Sequence, residues 1–372
     1  MKKLLHLQLL PLLSGVQRFS LYLLEGLDSR EFEIWVACRP GGEFPEAVKR
    51  RGFHFISLPS FRHPISYTDF FTFLHLILII KRYRFDIVHT NSSKPGLLGR
   101  LAARICKVPL IIHTAHGTPF QESQSKLKYR FFTFMEAWGN SLGHKTVFVN
   151  NSDRLNCLKL GLISEKKAYT VFNALPLMQS EILEQIANKR CLPEGEIIIG
   201  STIRFSDQKN VISLITAACL ACKQSIKLKF IIVGDGEHLE LCKAIIRTHG
   251  LETRIILPGW DSEVIPWLKV FNAYVLYSRW EAMPFSIIEA MHSGLPVIGS
   301  AIPSISELVD NDCGYLVPLN DEPALARLFV RIASDFSPAW QKGQRAASKV
   351  KQLCSYQNML SQYREHYLVD SL

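Results

Sequence analysis

Two glutamates, Glu281 and Glu289, stand eight residues apart in the stretch Ser278 to Ser293, which reads SRWEAMPFSIIEAMHS. A strand-like run, Ala273 to Tyr277, leads into it, and a helix-like run, Phe285 to Met291, leads out. In an α/β protein the junction of a strand end with a helix N-terminus holds anionic ligands, because backbone N–H groups and the helix dipole converge there. One carboxylate before that helix and one within it could both reach a sugar-nucleotide lying across its mouth. The pairing also suits a general acid and base. A surface glutamate and a solvated helix glutamate account for the same spacing equally well.

Other turns carry further chemistry. Arg204 and Lys209 lie five apart after an apolar run, Glu196 to Ile203. An arginine offers a planar fork to phosphate oxygens and a lysine a mobile point charge. Two solvated loop cations are the plainer reading of that turn alone. Gly234-Asp235-Gly236 could bring backbone close to a diphosphate, and such a pair of glycines is weak evidence by itself. His116 follows a strand and precedes Gly117, where it could hydrogen-bond a sugar or share charge at a reacting centre. His113, inside that strand, reads as a satisfied core residue. No GxGxxG follows a strand and no GxxxxGK[ST] occurs, which argues against a dinucleotide oxidoreductase and a P-loop NTPase. No strand ends in an Asp-x-Asp pair, and no histidine–carboxylate cluster has metal spacing. Catalysis without a metal is the expectation, with Arg, Lys and helix N-termini neutralising a leaving diphosphate. Nine cysteines are scattered, and Cys219 and Cys222 sit in a helix-like run as small core residues. Free thiols without an export signal point to a reducing cytoplasm.

These turns need a scaffold. The chain has 372 residues, 48% hydrophobic and 20% charged, which describes a folded protein with room for two domains. Strand and helix patterns alternate from end to end, as parallel sheets covered by helices require. The alternation runs to Ala174, passes a connector from Pro176 to Gly195, and restarts. Two doubly wound domains fit, with ligands at strand C-terminal ends in a cleft between them. The first strand is expected over Leu4 to Leu10, then a Ser14-Gly15 turn and a helix from Phe19. Leu4 to Leu13 after Met1-Lys2-Lys3 lacks a cleavage site and reads as a buried strand rather than a signal peptide. The apolar run Phe70 to Ile80 is too short to span a bilayer and is expected to form a buried amphipathic helix rather than an interfacial one. Residues 1–190 hold 26 Lys+Arg against 14 Asp+Glu, while 191–372 hold 17 against 19. The excess implies an anionic partner for the first half. No nucleic-acid motif accompanies it, so a membrane surface is favoured over nucleic acid.

In this order and spacing the motifs resemble those of the family 4 retaining glycosyltransferases of the GT-B fold, over nearly the whole chain. The strongest match is Glu281 to Ile298, EAMPFSIIEAMHSGLPVI, which is similar to that family's two-glutamate signature. Asp86 to Thr90 with Ser92-Ser93-Lys94, Thr114 to Gly117, the Arg204–Lys209 turn, Val233 to Gly236 and Gly314 to Pro318 also match. The resemblance implies two Rossmann-like domains facing each other across a cleft. The first, 1–175 on the acceptor side, would be completed by a C-terminal helix at about 355–372. The second, 176–354, would bind the donor. Arg204 and Lys209 would bind the donor diphosphate, Glu289 the ribose hydroxyls, and Glu281 the transferred sugar. Amides of Met283 and Phe285 would touch sugar and phosphates, and backbone around Leu257 to Gly259 would frame the base. His116 would approach the sugar from the other domain, and Gly15 lies in the loop facing the donor or acceptor. The chain departs from the family at Ser14-Gly15, where two glycines are usual, at Ala282, at Asn173-Ala174, and at Pro284, which has no N–H to donate.

The expected function is sugar transfer, with retention, from a nucleotide-diphosphate sugar, with UDP as the nucleotide, to an acceptor hydroxyl. The expected acceptor is a lipid-linked glycan in cell-surface polysaccharide biosynthesis. No cofactor and no metal are expected. The expected place is the cytoplasm, peripheral on the inner membrane face. The alternatives are a GT-B-like sugar-nucleotide epimerase, which would convert the donor with no acceptor present, and a non-catalytic membrane-docked scaffold.

Overall fold

The computed structural model describes residues 1–62, 66–120 and 124–368. It forms two compact units, Met1–Ala174 with Tyr356–Leu372, and Leu175–Ser355. The expected α/β class, with two units each built on a parallel sheet, is what the chain adopts.

In unit 1 the strands are β1 (Lys2–Leu7), β2 (Phe32–Cys38), β3 (His54–Ser57), β4 (Ile87–Asn91), β5 (Leu110–Ala115), β6 (Lys145–Phe148) and β7 (Ala168–Thr170). They pair in parallel in the order β3-β2-β1-β4-β5-β6-β7. All five residues of β4 and all six of β5 are buried, as in a sheet covered on both faces. The order reverses between β1 and β4. At such a switch point the crossovers leave in opposite directions and open a crevice at the strand C-terminal ends. Helix Tyr356–Leu368 completes this unit with two fully buried tyrosines. The Tyr367 hydroxyl lies 2.7 Å from His89 Nδ1, and the Tyr363 hydroxyl 3.0 Å from Thr114 Oγ1. Residues 369–372 of the expected final helix lie outside the described residues.

Unit 2 holds β8 (Ile197–Thr202), β9 (Leu228–Val233), β10 (Ile255–Gly259), β11 (Ala273–Leu276), β12 (Val297–Ser300) and β13 (Gly314–Val317). Their order is β10-β9-β8-β11-β12-β13, again parallel, with the reversal between β8 and β11. The Arg204 turn follows one strand of that pair, and the Glu281 loop follows the other.

Three expectations need correction. The first helix begins at Gly15, not Phe19, so Ser14-Gly15 is a helix start rather than a free turn. The Pro176–Gly195 connector contains a helix, Leu177–Asn188, packed on helix Phe285–His292. The apolar run is not a buried helix. Helix Thr68–Tyr83 buries Thr72, Leu76, Ile79 and Ile80 but exposes Phe70, Phe71, Leu74 and Leu78. A helix in an outer layer can bury only the face turned to the sheet, and this one is apolar on the other face too.

Candidate functional site

The site in unit 2 is built at the carboxyl ends of its central strands. After β8 the chain enters the loop Arg204–Asn210, and after β11 the loop Ser278–Pro284. Three bonds tie the two loops. Arg279 N donates to Gln208 O at 2.8 Å, Gln208 Nε2 to Trp280 O at 3.0 Å, and Arg279 Nε to Asn210 Oδ1 at 3.2 Å. Lys209 Nζ then lies 2.5 Å from Glu281 Oε1. The Glu281 side chain is only 7% exposed, so the pair is screened little by solvent. Arg204 is exposed at the start of the same loop. Lys209 and Glu281 therefore meet as an ion pair, and Arg204 stands exposed on the same loop, an arrangement that can accept an anionic ligand by sharing Lys209.

The Gly234-Asp235-Gly236 turn supports this loop. Gly234 has φ 148° and Gly236 φ 152°, which L side chains rarely adopt. A Cβ on Gly234 would overlap the carbonyl oxygen of Ile203, and one on Gly236 would crowd that of Phe205. Phe205 N donates to Asp235 O at 2.9 Å, and His238 N to Phe205 O at 3.1 Å. The glycines thus let backbone approach the segment that carries Arg204. Gly259, at the end of β10, accepts from Gly234 N at 2.8 Å, so a third strand end is fixed to the same turn.

Helix Phe285–His292 begins behind Pro284, with Met283 and Phe285 buried and no side-chain cap on its first turn. Its positive end faces the Glu281 loop. Glu289 is buried on this helix and accepts from Gln179 Nε2 at 3.2 Å. Gln179 lies on helix Leu177–Asn188, inside the stretch expected to be a connector, and no sequence signal marked it.

In unit 1 the carboxyl edge has different chemistry. Gly15 opens helix Gly15–Glu25 directly after β1. His116 follows β5, and its Nε2 lies 3.1 Å from Asn91 Oδ1 at the end of β4. Because a carbonyl oxygen only accepts, this contact puts the His116 proton on Nε2. Asn91 Nδ2 donates to His6 Nε2 at 2.9 Å, and His6 Nε2 lies 2.8 Å from Ser20 Oγ. Phe19 packs edge-on against His116 with ring centroids 4.8 Å apart. Loss of water pulls the pKa of both His116 and His6 down to about 3. His116 is therefore neutral at ordinary pH, and of its two expected roles the structure favours hydrogen bonding over shared charge. His113 is buried as expected, with Nδ1 3.1 Å from Thr90 O.

Cys219 and Cys222 are buried in helix Val211–Gln224, where burial pushes both thiols up to about 11. Among the described residues the fold does assemble one cluster that spacing hid. Asp207, Glu237 and His238 bring ligand atoms within 4.8 Å of one another. They are partly or fully exposed, and the 2.9 Å contact of His238 Nε2 with Asp207 Oδ1 is enough to explain it. Among the described residues no helix is long and apolar enough to cross a membrane.

The chain matches two family models, Glycosyltransferase Family 4 over residues 13–177 and Glycosyl transferases group 1 over 184–349. It is 31% identical over 344 residues to the UDP-Gal:alpha-D-GlcNAc-diphosphoundecaprenol alpha-1,3-galactosyltransferase of Escherichia coli, covering 90% of this chain and 88% of that protein. Its fold is shared with Anabaena Alr3699/HepE, solved in complex with UDP and glucose, at a TM-score of 0.82 and 16% identity over 98% of this chain and 99% of the other. It is also shared with S. aureus TarM, at a TM-score of 0.77 and 14% identity over 99% and 100%. With both halves matched and one relative above 30% identity along nearly its whole length, the chain belongs to the family 4 glycosyltransferases of the GT-B fold.

Proposed function

We propose that this glycosyltransferase moves a hexosyl group from a UDP-sugar to a hydroxyl of a lipid-linked glycan, with retention at the anomeric carbon and without a metal ion, in building a surface polysaccharide or glycolipid. The observation that carries the reading is the Lys209–Glu281 pair at the switch point of unit 2, with Arg204 on the loop that carries Lys209 and a helix start after the loop that carries Glu281. A diphosphate there would take Lys209 and Arg204 as counterions, so that no divalent cation is required to hold the charge that develops as it leaves. Glu289, held by Gln179, would accept from the ribose hydroxyls. Glu281 would meet the transferred sugar. In the step itself the anomeric carbon loses its bond to the β-phosphate oxygen and gains one to the acceptor oxygen on the same face. The acceptor proton passes to the departing phosphate oxygen, which makes a separate carboxylate base unnecessary.

The relatives support the substrate classes. The Escherichia coli protein is named for a UDP-galactose donor and a diphosphoundecaprenol-linked acceptor, and the Anabaena structure holds UDP and glucose. The acceptor would be served by unit 1, whose neutral His116 edge suits a hydroxyl better than an anion. The enzyme would work at the cytoplasmic face of a membrane, where nucleotide sugars are made.

A thermal-shift panel of nucleotide sugars with chelator present tests the donor, since a ligand bound only by the native state raises its stability. UDP-sugars are expected to stabilise the protein most, with chelator making no difference. A shift that needs a divalent ion would contradict the metal-free reading. Labelled donor with a lipid-diphosphate acceptor should then give a product with the donor's anomeric configuration. Conversion of the donor with no acceptor present would instead indicate an epimerase.

A further inference from the structure

Unit 1 carries two helices whose outward faces are apolar. Thr68–Tyr83 and Lys126–Leu142 both pack on helix Ser93–Ile105 and so belong to one layer. On the first, Phe70 (62% exposed) and Phe71 (58%) are followed at three- or four-residue steps by Leu74 (42%) and Leu78 (66%). That spacing places them in one stripe. On the second, Leu127 (81%), Phe131 (48%), Phe134 (66%) and Trp138 (39%) do the same. Scattered exposed apolar residues need no explanation, but two stripes of large ones on the helices that flank Ser93–Ile105 do.

We propose that this two-helix face docks the enzyme on an anionic bilayer, lying in its interface. The charges select that occupant. Exposed Lys81 and Arg82 end the first helix, and exposed Lys126, Lys128 and Arg130 begin the second. The only acids of the two helices are withdrawn from the face. Asp69 is paired with Lys94 at 2.5 Å, and Glu136 is buried. A second copy of the chain would bring this basic face against its own like charges. A bilayer with anionic headgroups matches the apolar stripes and the cations together. At 16 and 17 residues, neither helix is long enough to cross, which leaves an orientation in the interface plane.

The face also lies where it would be useful. In a parallel α/β unit each helix runs against its strands, so both helices start at the carboxyl edge of the sheet, the edge that carries His116 and Asn91. A bilayer against the stripes would lie beside that edge, and a lipid-linked acceptor could reach it with its tail still in the membrane. This deepens the lipid-linked acceptor reading given above and rests on it for its purpose, though docking itself stands on the stripes alone.

Cosedimentation of the full chain with vesicles tests it. Binding is expected to phosphatidylglycerol-containing vesicles, weakening at about 0.5 M salt, and to be feeble on phosphatidylcholine alone. The variant Phe71→Ser/Leu78→Ser/Phe131→Ser/Trp138→Ser should lose at least tenfold in partitioning. Lys126→Gln/Lys128→Gln/Arg130→Gln should lose roughly fivefold per residue on anionic vesicles only. Both should keep the thermal shift with UDP, which shows that they fold. Both should also keep transfer to a soluble acceptor lacking the lipid tail, while transfer to an acceptor embedded in vesicles falls. Equal vesicle binding by wild type and both variants would overturn the proposal. So would a wild-type dimer that the apolar variant splits, with no vesicle binding, since the face would then join two copies. Docking with no UDP shift would sink the donor reading and leave the docking face intact.

Discussion

The two units repeat one topology with opposite chemistry at the same place. Each has a parallel sheet whose strand order reverses once, and each gathers its polar residues at the carboxyl ends beside the reversal. In unit 2 those residues are charged, Arg204, Lys209 and Glu281. In unit 1 they are neutral, with His6, Asn91 and His116 joined through shared hydrogen bonds, the first two buried and His116 partly so. A switch point provides a crevice; the side chains at its rim decide whether it suits an anion or a hydroxyl. The contrast supports the proposal that the nucleotide diphosphate binds in unit 2.

The sharpest break in that contrast is to make unit 2 neutral. Lys209→Ala should cost about 2–4 kcal/mol of transition-state stabilisation, by analogy with the loss of one oxyanion donor. In kcat/KM that is roughly thirtyfold to a thousandfold. Because Glu281 would lose its counterion, the Lys209→Ala/Glu281→Ala double variant should cost less than the sum of the singles. An unchanged kcat/KM for Lys209→Ala would remove it from the site. In unit 1 the counterpart is Asn91→Ala, which takes one partner from His6 Nε2 and the Asn91 oxygen from His116 Nε2. His6 Nε2 keeps Ser20 Oγ, so His116 Nε2 is the nitrogen left without its partner, and the loss should cost about 1–3 kcal/mol of stability. Thermal melts should show this while the increment added by UDP stays the same.

Acid should separate the units as well. The unfolded chain protonates each histidine below about pH 6.5. The folded chain holds His6 and His116 neutral down to about pH 3, and burial holds His89 and His113 well below the usual range. Protons therefore favour the unfolded state, and stability falls as the pH drops from 6.5 toward 3. His6 alone contributes about 1.4 kcal/mol per pH unit in that window. Hydrogen exchange at pH 7 and pH 5 should show unit 1 peptides opening first. Simultaneous opening of both units would mean that the histidine spine does not set the acid response. The smallest effect expected is that of Gln179→Ala, which removes one hydrogen bond to Glu289. UDP affinity should weaken by about 0.5–1.5 kcal/mol, read by calorimetry.

What the sequence made legible is what local pattern encodes. Buried strands read as apolar runs, and turns bounded by Gly and Pro marked the strand ends, so Arg204, Lys209, Glu281 and His116 were found at their loops. Partnerships were beyond reach, because Lys209 and Glu281 meet across 72 residues and no periodicity links them. Gln179 was missed for the same reason, as was the Asn91 bridge between two histidines. The glycines of Gly234-Asp235-Gly236 were read as a close approach to a ligand, and the fold also brings them against the backbone that flanks Arg204. The error over Phe70 to Ile80 has a different source. Apolar spacing predicts a helix but does not say which of its faces the fold covers. Two apolar faces with one covered is a property of the layer, which only the packing reveals.

The contrast between the units is tested most directly by hydrogen exchange of the full chain with and without UDP. Slowed exchange is expected in residues 204–210 and 281–289, with the unit 1 peptides around Asn91 and His116 unchanged. Slowing confined to unit 1, or none in the Arg204 loop at saturating UDP, would contradict the assignment of the diphosphate to the charged edge.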